Sequence, residues 1–244
     1  MVEESNGIGK VPMIKPLQIA IGYDKRESIA FHTLVNSIMI RASEPVSIIP
    51  IVRSSIRAFH RPRGPLDSTD FSISRFMVPY ICGYKGVTLF MDCDIVVKDD
   101  IVELFRLFDP AYAVQVVKHN HVPKETVKMD DQVQTKYSMK NWTSVMLFNN
   151  ERCTALTPEY VNKVNGLDLH QFQWLPDKNL IGELPETWNH LVGYSINEYP
   201  SAFHYTCGGP WFEKYRQCED YDKWVSEYLA TIEPFKFWYG TDRS

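Results

Sequence analysis

Val87-Thr88-Leu89-Phe90-Met91-Asp92-Cys93-Asp94 is the stretch on which the reading of the fold turns. Mostly apolar residues with β-leaning side chains run straight into two carboxylates. This is the pattern of a short buried strand ending at a polar edge. In an open α/β sheet, ligands gather beyond the carboxyl ends of such strands, where Asp92 and Asp94 stand. In extended backbone, residues two apart point to the same side. Two like charges that close disfavour each other unless a positive charge lies between them. A hard divalent cation suits oxygen ligands of this kind and keeps water or phosphate in its other positions.

Asp-Cys-Asp admits four readings. Taken alone, it is a solvated turn. A calcium loop of the EF-hand type fails, because Val96 and Val97 fall where an oxygen ligand and a glycine are needed. The nucleophile motif of a haloacid-dehalogenase-like phosphatase fits Asp92 through Val96, although that motif ordinarily opens its domain and here a long α/β-like stretch precedes it. The fourth is the D-x-D of a nucleotide-sugar glycosyltransferase, which the flanking motifs favour.

The chain has 244 residues, the size of one domain, and 44% of them are hydrophobic, enough for a sizeable core. A net charge of −4 gives no general pull toward nucleic acid or anionic membrane. The cysteines (Cys82, Cys93, Cys153, Cys207 and Cys218) are scattered, with no C-x-x-C pair and no zinc spacing. That pattern suits free thiols in a reducing cytoplasm. No run is long enough to span a membrane, and there is no signal-peptide core. Residues 1–16 read as a flexible leader, and residues 17–244 as one domain.

Leu17 to Ile21 reads as the first strand, followed by a turn containing Tyr23 and Asp24. Ser28 is placed to cap a helix from Ile29 to about Arg41, and Val46 to Val52 reads as the second strand. This opening resembles a nucleotide-binding half without a G-x-G-x-x-G. Tyr23 can stack on a base, and Asp24 can accept from a base or ribose donor. Arg53, Arg57, His60, Arg61 and Arg63 make a basic loop, read as a solvated face. Asp70 or Ser72 is expected to cap a helix through Tyr80 that carries Arg75 among apolar neighbours. A buried guanidinium needs an anionic or polar partner, and the Asp92–Asp94 region can supply one. Asp99 is placed to cap a helix ending near Leu107, and Tyr112 to Val117 reads as another strand. Residues 118–140 read as a long binding loop, lid or disordered segment. Asn141 to Asn150 forms a polar, aromatic entry into a strand. Thr157-Pro158 opens a helix expected to stop at Gly166. Asp168 to Leu175 reads as helical, and Leu184 to Asn189 as an extended loop. A short strand delivers His204 to a turn containing Gly208 and Gly209, and the tail from Glu219 to Thr231 reads as a closing amphipathic helix.

Six of these segments, in this order, resemble the GT-A glycosyltransferases, and within them glycosyltransferase family eight, the glycogenin and lipopolysaccharide galactosyltransferase group. They are the strand end with Ile21, Tyr23 and Asp24; Phe71 to Pro79; Phe90 to Val97; Thr143 to Asn149; His170-Gln171 with Leu184 to Asn189; and His204 with Gly208 to Trp211. The resemblance implies a single α/β domain of Rossmann-like GT-A type, with a mostly parallel central sheet flanked by helices. It implies a hexosyltransferase using a nucleotide-diphospho-sugar, a UDP-hexose by preference, and a hydroxyl acceptor on a glycan, lipid or protein. Asp92, Asp94 and His204 would bind Mn2+ or Mg2+. Ile21, Tyr23, Asp24, Arg75, Asp92, Cys93, Asp94, Gly208 and Gly209 would face the donor. Gln171 and His170 would act at the reacting carbon, with retention of anomeric configuration, and Thr143, Ser144, Trp188 and Asn189 would face the acceptor. Two departures are plain: Gly209 precedes Pro210 where the family carries lysine, and His170 stands where aspartate is common. They leave a catalytically silent sugar-nucleotide binder as a further alternative beside the phosphatase.

Overall fold

The computed structural model describes residues 15–65, 67–119, 127–128, 132–133 and 139–239. Nearly all of the expected leader and most of the 118–140 segment lie outside them. Strands β1 (Leu17–Gly22) and β2 (Val46–Ile51) flank helix α1 (Ser28–Met39) in sequence. Helix α2 (Val78–Ile81) leads to β3 (Val87–Met91) and β4 (Ile95–Val97), then to α3 (Ile101–Arg106) and β5 (Val114–Val116). A two-residue ribbon, β6 (Val127–Lys128) and β7 (Gln132–Val133), precedes β8 (Val145–Asn149). Helices α4 (Pro158–Lys163) and α5 (Gly166–His170) follow, then β9 (Ile181–Glu183), β10 (His190–Leu191), β11 (Ala202–His204) and the closing helix α6 (Tyr221–Tyr239).

The central sheet has the order β2-β1-β3-β8-β5-β9. Only β8 runs against its neighbours; the β1–β2, β1–β3 and β5–β9 pairs are parallel. Register aligns Ala20 with Phe90 and Ile21 with Met91, so β1 and β3 end side by side. Leu89, Phe90 and Met91 are fully buried, as expected of a strand covered on both faces. A second, smaller sheet has the order β10-β11-β4.

Helix α1 buries Ala30, Leu34 and Ile38, one face at four-residue spacing. Ser28 is its first residue rather than its cap; the capping aspartate is Asp24, which closes the single 3-10 turn Lys25–Glu27 ahead of it. The Ser37 hydroxyl accepts from the Val97 amide at 3.1 Å and so ties α1 to β4. Between Asp70 and Tyr80 the chain forms a 3-10 segment, Ser74–Met77, and then the short α2. Asp100, not Asp99, caps α3 through the Val102 amide. Gly166 does not stop α4. It opens α5, whose cap is Asn165 through the Leu167 amide, and the position suits glycine because a Cβ there would stand 2.9 Å from Ile73 Cδ1.

Candidate active site

The two aspartates lie where the chain leaves one sheet for the other. Asp92 follows β3, Asp94 precedes β4, and a turn joins them. The turn, rather than the extended backbone expected for this stretch, makes the carboxylates converge. It also sends Cys93 the other way: its thiol is fully buried, lies 3.8 Å from Glu27 Oε2, and is pushed up by burial and then by the acidic groups around it. Cys93, expected beside the donor, therefore presents only backbone to the site.

The ladder of the small sheet brings in His204. It is antiparallel between β11 and β4 and sets His204 opposite Ile95, and the Tyr205 amide donates to Asp94 O at 2.9 Å. One ligand atom each from Asp92, Asp94 and His204 lies within 4.8 Å of the others. His204 Nε2 is 3.4 Å from Asp94 Oδ1, and His204 Nδ1 is 2.8 Å from Asn189 Oδ1. Two carboxylates and an imidazole suit Mn2+ or Mg2+, with positions left over for phosphate oxygens. The donor set fits the expected ion.

Arg75 is buried. Its Nη1 pairs with Asp92 Oδ1 at 2.7 Å and donates to Thr143 O at 2.8 Å, and the guanidinium lies 5.2 Å from the ring centres of both Phe71 and Phe90. Thr143 Oγ1 shares a 2.8 Å hydrogen bond with His170 Nδ1, so His170, Thr143, Arg75 and Asp92 form one connected set. Gln171 ends α5 beside His170, and Lys178 Nζ donates to its backbone carbonyl.

Other expected residues have different surroundings. Both Asp24 oxygens are occupied: Oδ1 accepts from Arg26 N and Nε, and Oδ2 accepts from Arg26 Nη2 and the Asp70 amide. Burial works against its charge, but the Arg26 and Asp70 hydrogen bonds outweigh it and hold the carboxyl below the usual aspartate range. Trp188 and Asn189, expected in an extended acceptor loop, instead lie on a 3-10 turn, Glu186–Asn189, that points both inward. Ile21 is fully buried in β1. Gly208 has φ +115°, a conformation reserved for glycine, while the Cα of Gly209 faces the Trp211 ring. Tyr23 lines a groove of about 550 Å³ with Lys25, Arg53, Arg61 and Asp70. Sequence reasoning did not pick out Lys25. The basic loop is largely tied down, since Arg53 donates to Arg61 O and lies over Phe59, and Arg61 donates to Val161 O and Val164 O.

No protein-family model matches the chain. Protein CDI of Arabidopsis thaliana is 45% identical over 224 residues, which cover 87% of this chain and 86% of CDI. The chain belongs to the CDI family. Among solved structures, this CDI-family chain is similar to the bifunctional glycosyltransferase WbbM, with a TM-score of 0.63, 16% identity and 96% of the chain covered. It is also similar to GlyE of Streptococcus pneumoniae, with a TM-score of 0.58, 14% identity and 93% covered. The galactosyltransferase LgtC, solved with donor and acceptor sugar analogues, gives a TM-score of 0.53 at 12% identity over 88% of the chain. The CDI-family chain spans 52% of WbbM, 64% of GlyE and 96% of LgtC. At such identities the likeness is one of fold, and the fold is GT-A.

Proposed function

We propose that this chain is a metal-dependent hexosyltransferase of the family-eight type, moving a hexose from a UDP-sugar to a hydroxyl acceptor. The observation that carries the reading is the meeting of Asp92, Asp94 and His204 within 4.8 Å at the carboxyl end of a central strand. In LgtC, a neighbour of the same fold, the structure was solved with donor and acceptor sugar analogues bound. A nucleotide sugar reacts by breaking its C1–O bond, and negative charge grows on the departing diphosphate. A divalent cation on Asp92, Asp94 and His204 supplies the countercharge for that leaving group.

The chain's own residues supply the rest. Arg75 holds Asp92 and keeps a buried positive charge beside the leaving group. Tyr23 offers a ring for the base, and Lys25 a cation at the mouth of the same groove. Asp24 acts indirectly, by fixing the turn that carries Tyr23. Gln171 offers a carbonyl oxygen near the carbon that gains positive charge, and the Thr143 hydrogen bond sets the orientation of the His170 ring beside it. The amide of Gly208, on a backbone only glycine adopts, donates to Tyr205 O at 2.7 Å, so Gly208 shapes the turn that follows His204.

The test is turnover of UDP-glucose and UDP-galactose, as hydrolysis or transfer to simple saccharides. Activity should disappear with a chelator, return with Mn2+, and stay absent in Asp94→Asn at saturating Mn2+. Full turnover in the presence of chelator refutes the ion. Hydrolysis of a phosphomonoester without nucleotide binding would favour the phosphatase. No helix among the described residues is long and apolar enough to cross a membrane; we place the enzyme in the cytoplasm on the strength of its free cysteines.

A further inference from the structure

Asn189 has 0% exposure. A primary amide so placed is costly unless its donors and its acceptor are all met. Its Nδ2 lies 3.3 Å from Asn141 O and 3.4 Å from Ser144 Oγ. A backbone carbonyl can only accept, so the amide atom facing it carries hydrogen. The Ser144 hydroxyl is already donated to Asn141 O at 2.6 Å, so its oxygen also accepts from Asn189. Two independent acceptors thus fix which way the amide points, a choice that geometry at heavy atoms alone leaves open.

The other amide atom, Oδ1, can only accept, and it stands 2.8 Å from His204 Nδ1. The hydrogen of the imidazole is therefore on Nδ1. A neutral ring then has its bare lone pair on Nε2, the nitrogen that faces Asp94 Oδ1 at 3.4 Å. The same turn holds another ligand, because Ser144 O accepts the Asp92 amide at 2.9 Å. One short stretch, Asn141 to Ser144, thus fixes the backbone of a carboxylate ligand and, through Asn189, the face of the imidazole ligand. Asn141 adopts φ +65°, a left-handed conformation that asparagine tolerates better than most residues.

We propose that Asn189 is a positioning residue, which holds His204 in the tautomer whose Nε2 can bind a divalent cation shared with Asp92 and Asp94. This rests on the ion site of the proposed function. It assigns Asn189 and Ser144, expected at the acceptor, to the support of that site. A merely structural Asn189 would satisfy a buried ring without controlling which nitrogen is bare.

The experiment has two readouts on the whole chain. Long-range 1H–15N correlation on metal-free, 15N-histidine-labelled protein reports the tautomer, with His204 assigned from the signal lost in His204→Gln. Titration of free Mn2+ by electron paramagnetic resonance reports affinity. Wild type should show hydrogen on Nδ1. Asn189→Leu, which removes the acceptor, should lose that preference and weaken Mn2+ binding about 10- to 100-fold, the usual effect of losing a hydrogen bond behind a metal ligand. Asn189→Gln, which keeps both the oxygen acceptor and the amide donors, should keep the tautomer preference and more of the affinity than Asn189→Leu. Hydrogen on Nε2 with Nδ1 bare in wild type, or a folded Asn189→Leu with unchanged tautomer and affinity, overturns the proposal. Should Asn189→Leu fail to fold, the wild-type tautomer and Asn189→Gln decide. A wild type that binds no Mn2+ removes the ion from both readings, whereas a wild type that binds it with Asn189→Leu unaffected removes only the role of Asn189.

Discussion

Arg75 and Asp92 make a buried pair in a site that also invites a cation. Their side chains are 6% and 14% exposed, so solvent screens the pair little. Removing one partner of such a pair strands the other, at a cost of about 3 kcal/mol. Arg75→Met is therefore expected to lower the unfolding free energy by that amount in urea titration without metal. Mn2+ should return part of the loss, because it supplies the positive charge that Asp92 has lost. A change below about 0.5 kcal/mol, typical of an exposed site, would show that Asp92 is well solvated without Arg75. Gly209 poses the opposite problem, of space rather than charge. A Cβ there would overlap Trp211 Cζ3, and that indole is wedged against Tyr205 and Trp224 at ring-centre distances of 6.0 and 5.2 Å. Overpacking a core costs about 1–3 kcal/mol. Gly209→Ala should fall in that range by thermal or urea unfolding, and an unchanged midpoint would show that Trp211 has room to swing aside.

Helix α6 closes the molecule, and one carboxylate fastens it. Glu227 is buried, accepts from Arg41 at the end of α1 at 2.7 and 2.9 Å, and accepts from Lys98 beyond β4 at 2.6 Å. Burial opposes its charge, but the Arg41 and Lys98 hydrogen bonds win and hold its carboxyl below the ordinary glutamate range. A depressed folded pKa means stability that is present above the unfolded pKa and lost as pH falls through the folded one. Wild type should thus exceed Glu227→Gln by about 2 kcal/mol near neutral pH, less than for a fully buried pair because Arg41 and Lys98 remain partly exposed. The gap should close as pH drops below the ordinary glutamate range, followed by urea unfolding at a series of pH values. A gap independent of pH would assign the effect to packing. Elements of this size were legible in the chain itself: β1, α1, β2 and β3 are apolar runs or stripes long enough for periodicity to register. The 3-10 turns at Ser74–Met77 and Glu186–Asn189 were not, because they are set by what they bury, Arg75 in one case and Trp188 with Asn189 in the other. Of the small sheet only β11 was legible, as the short strand that delivers His204; its partners β4 and β10, of three and two residues, are below any period, yet the register of the sheet carries His204 to Asp94. His204 could be found from sequence only through family resemblance, and the partnership of Asn189 with it only from coordinates.

At the scale of the whole molecule, the candidate ion site is the joint between the two sheets. Asp92 leaves the six-stranded sheet, Asp94 leads into the edge strand β4 of the three-stranded one, and His204 ends its central strand β11. Two carboxylates converge on this joint, of which Asp92 is paired with Arg75, and a cation held there would draw them together with His204. Mn2+ alone should therefore raise the midpoint of thermal unfolding, and a UDP-hexose should add more with Mn2+ than without it, because its diphosphate shares the ion. A ligand at a hundred times its Kd stabilises by about 2.7 kcal/mol. For a domain of this size that corresponds to about 5–10 °C. Asp94→Asn should lose the ion-dependent part and keep the smaller shift given by uridine alone, since the groove around Tyr23 does not include that carboxylate. This pattern separates a transferase site from a fold that merely tolerates metals: an ion bound adventitiously stabilises by the same amount with or without the donor, and strict additivity of the two shifts would leave the diphosphate with nothing to grip.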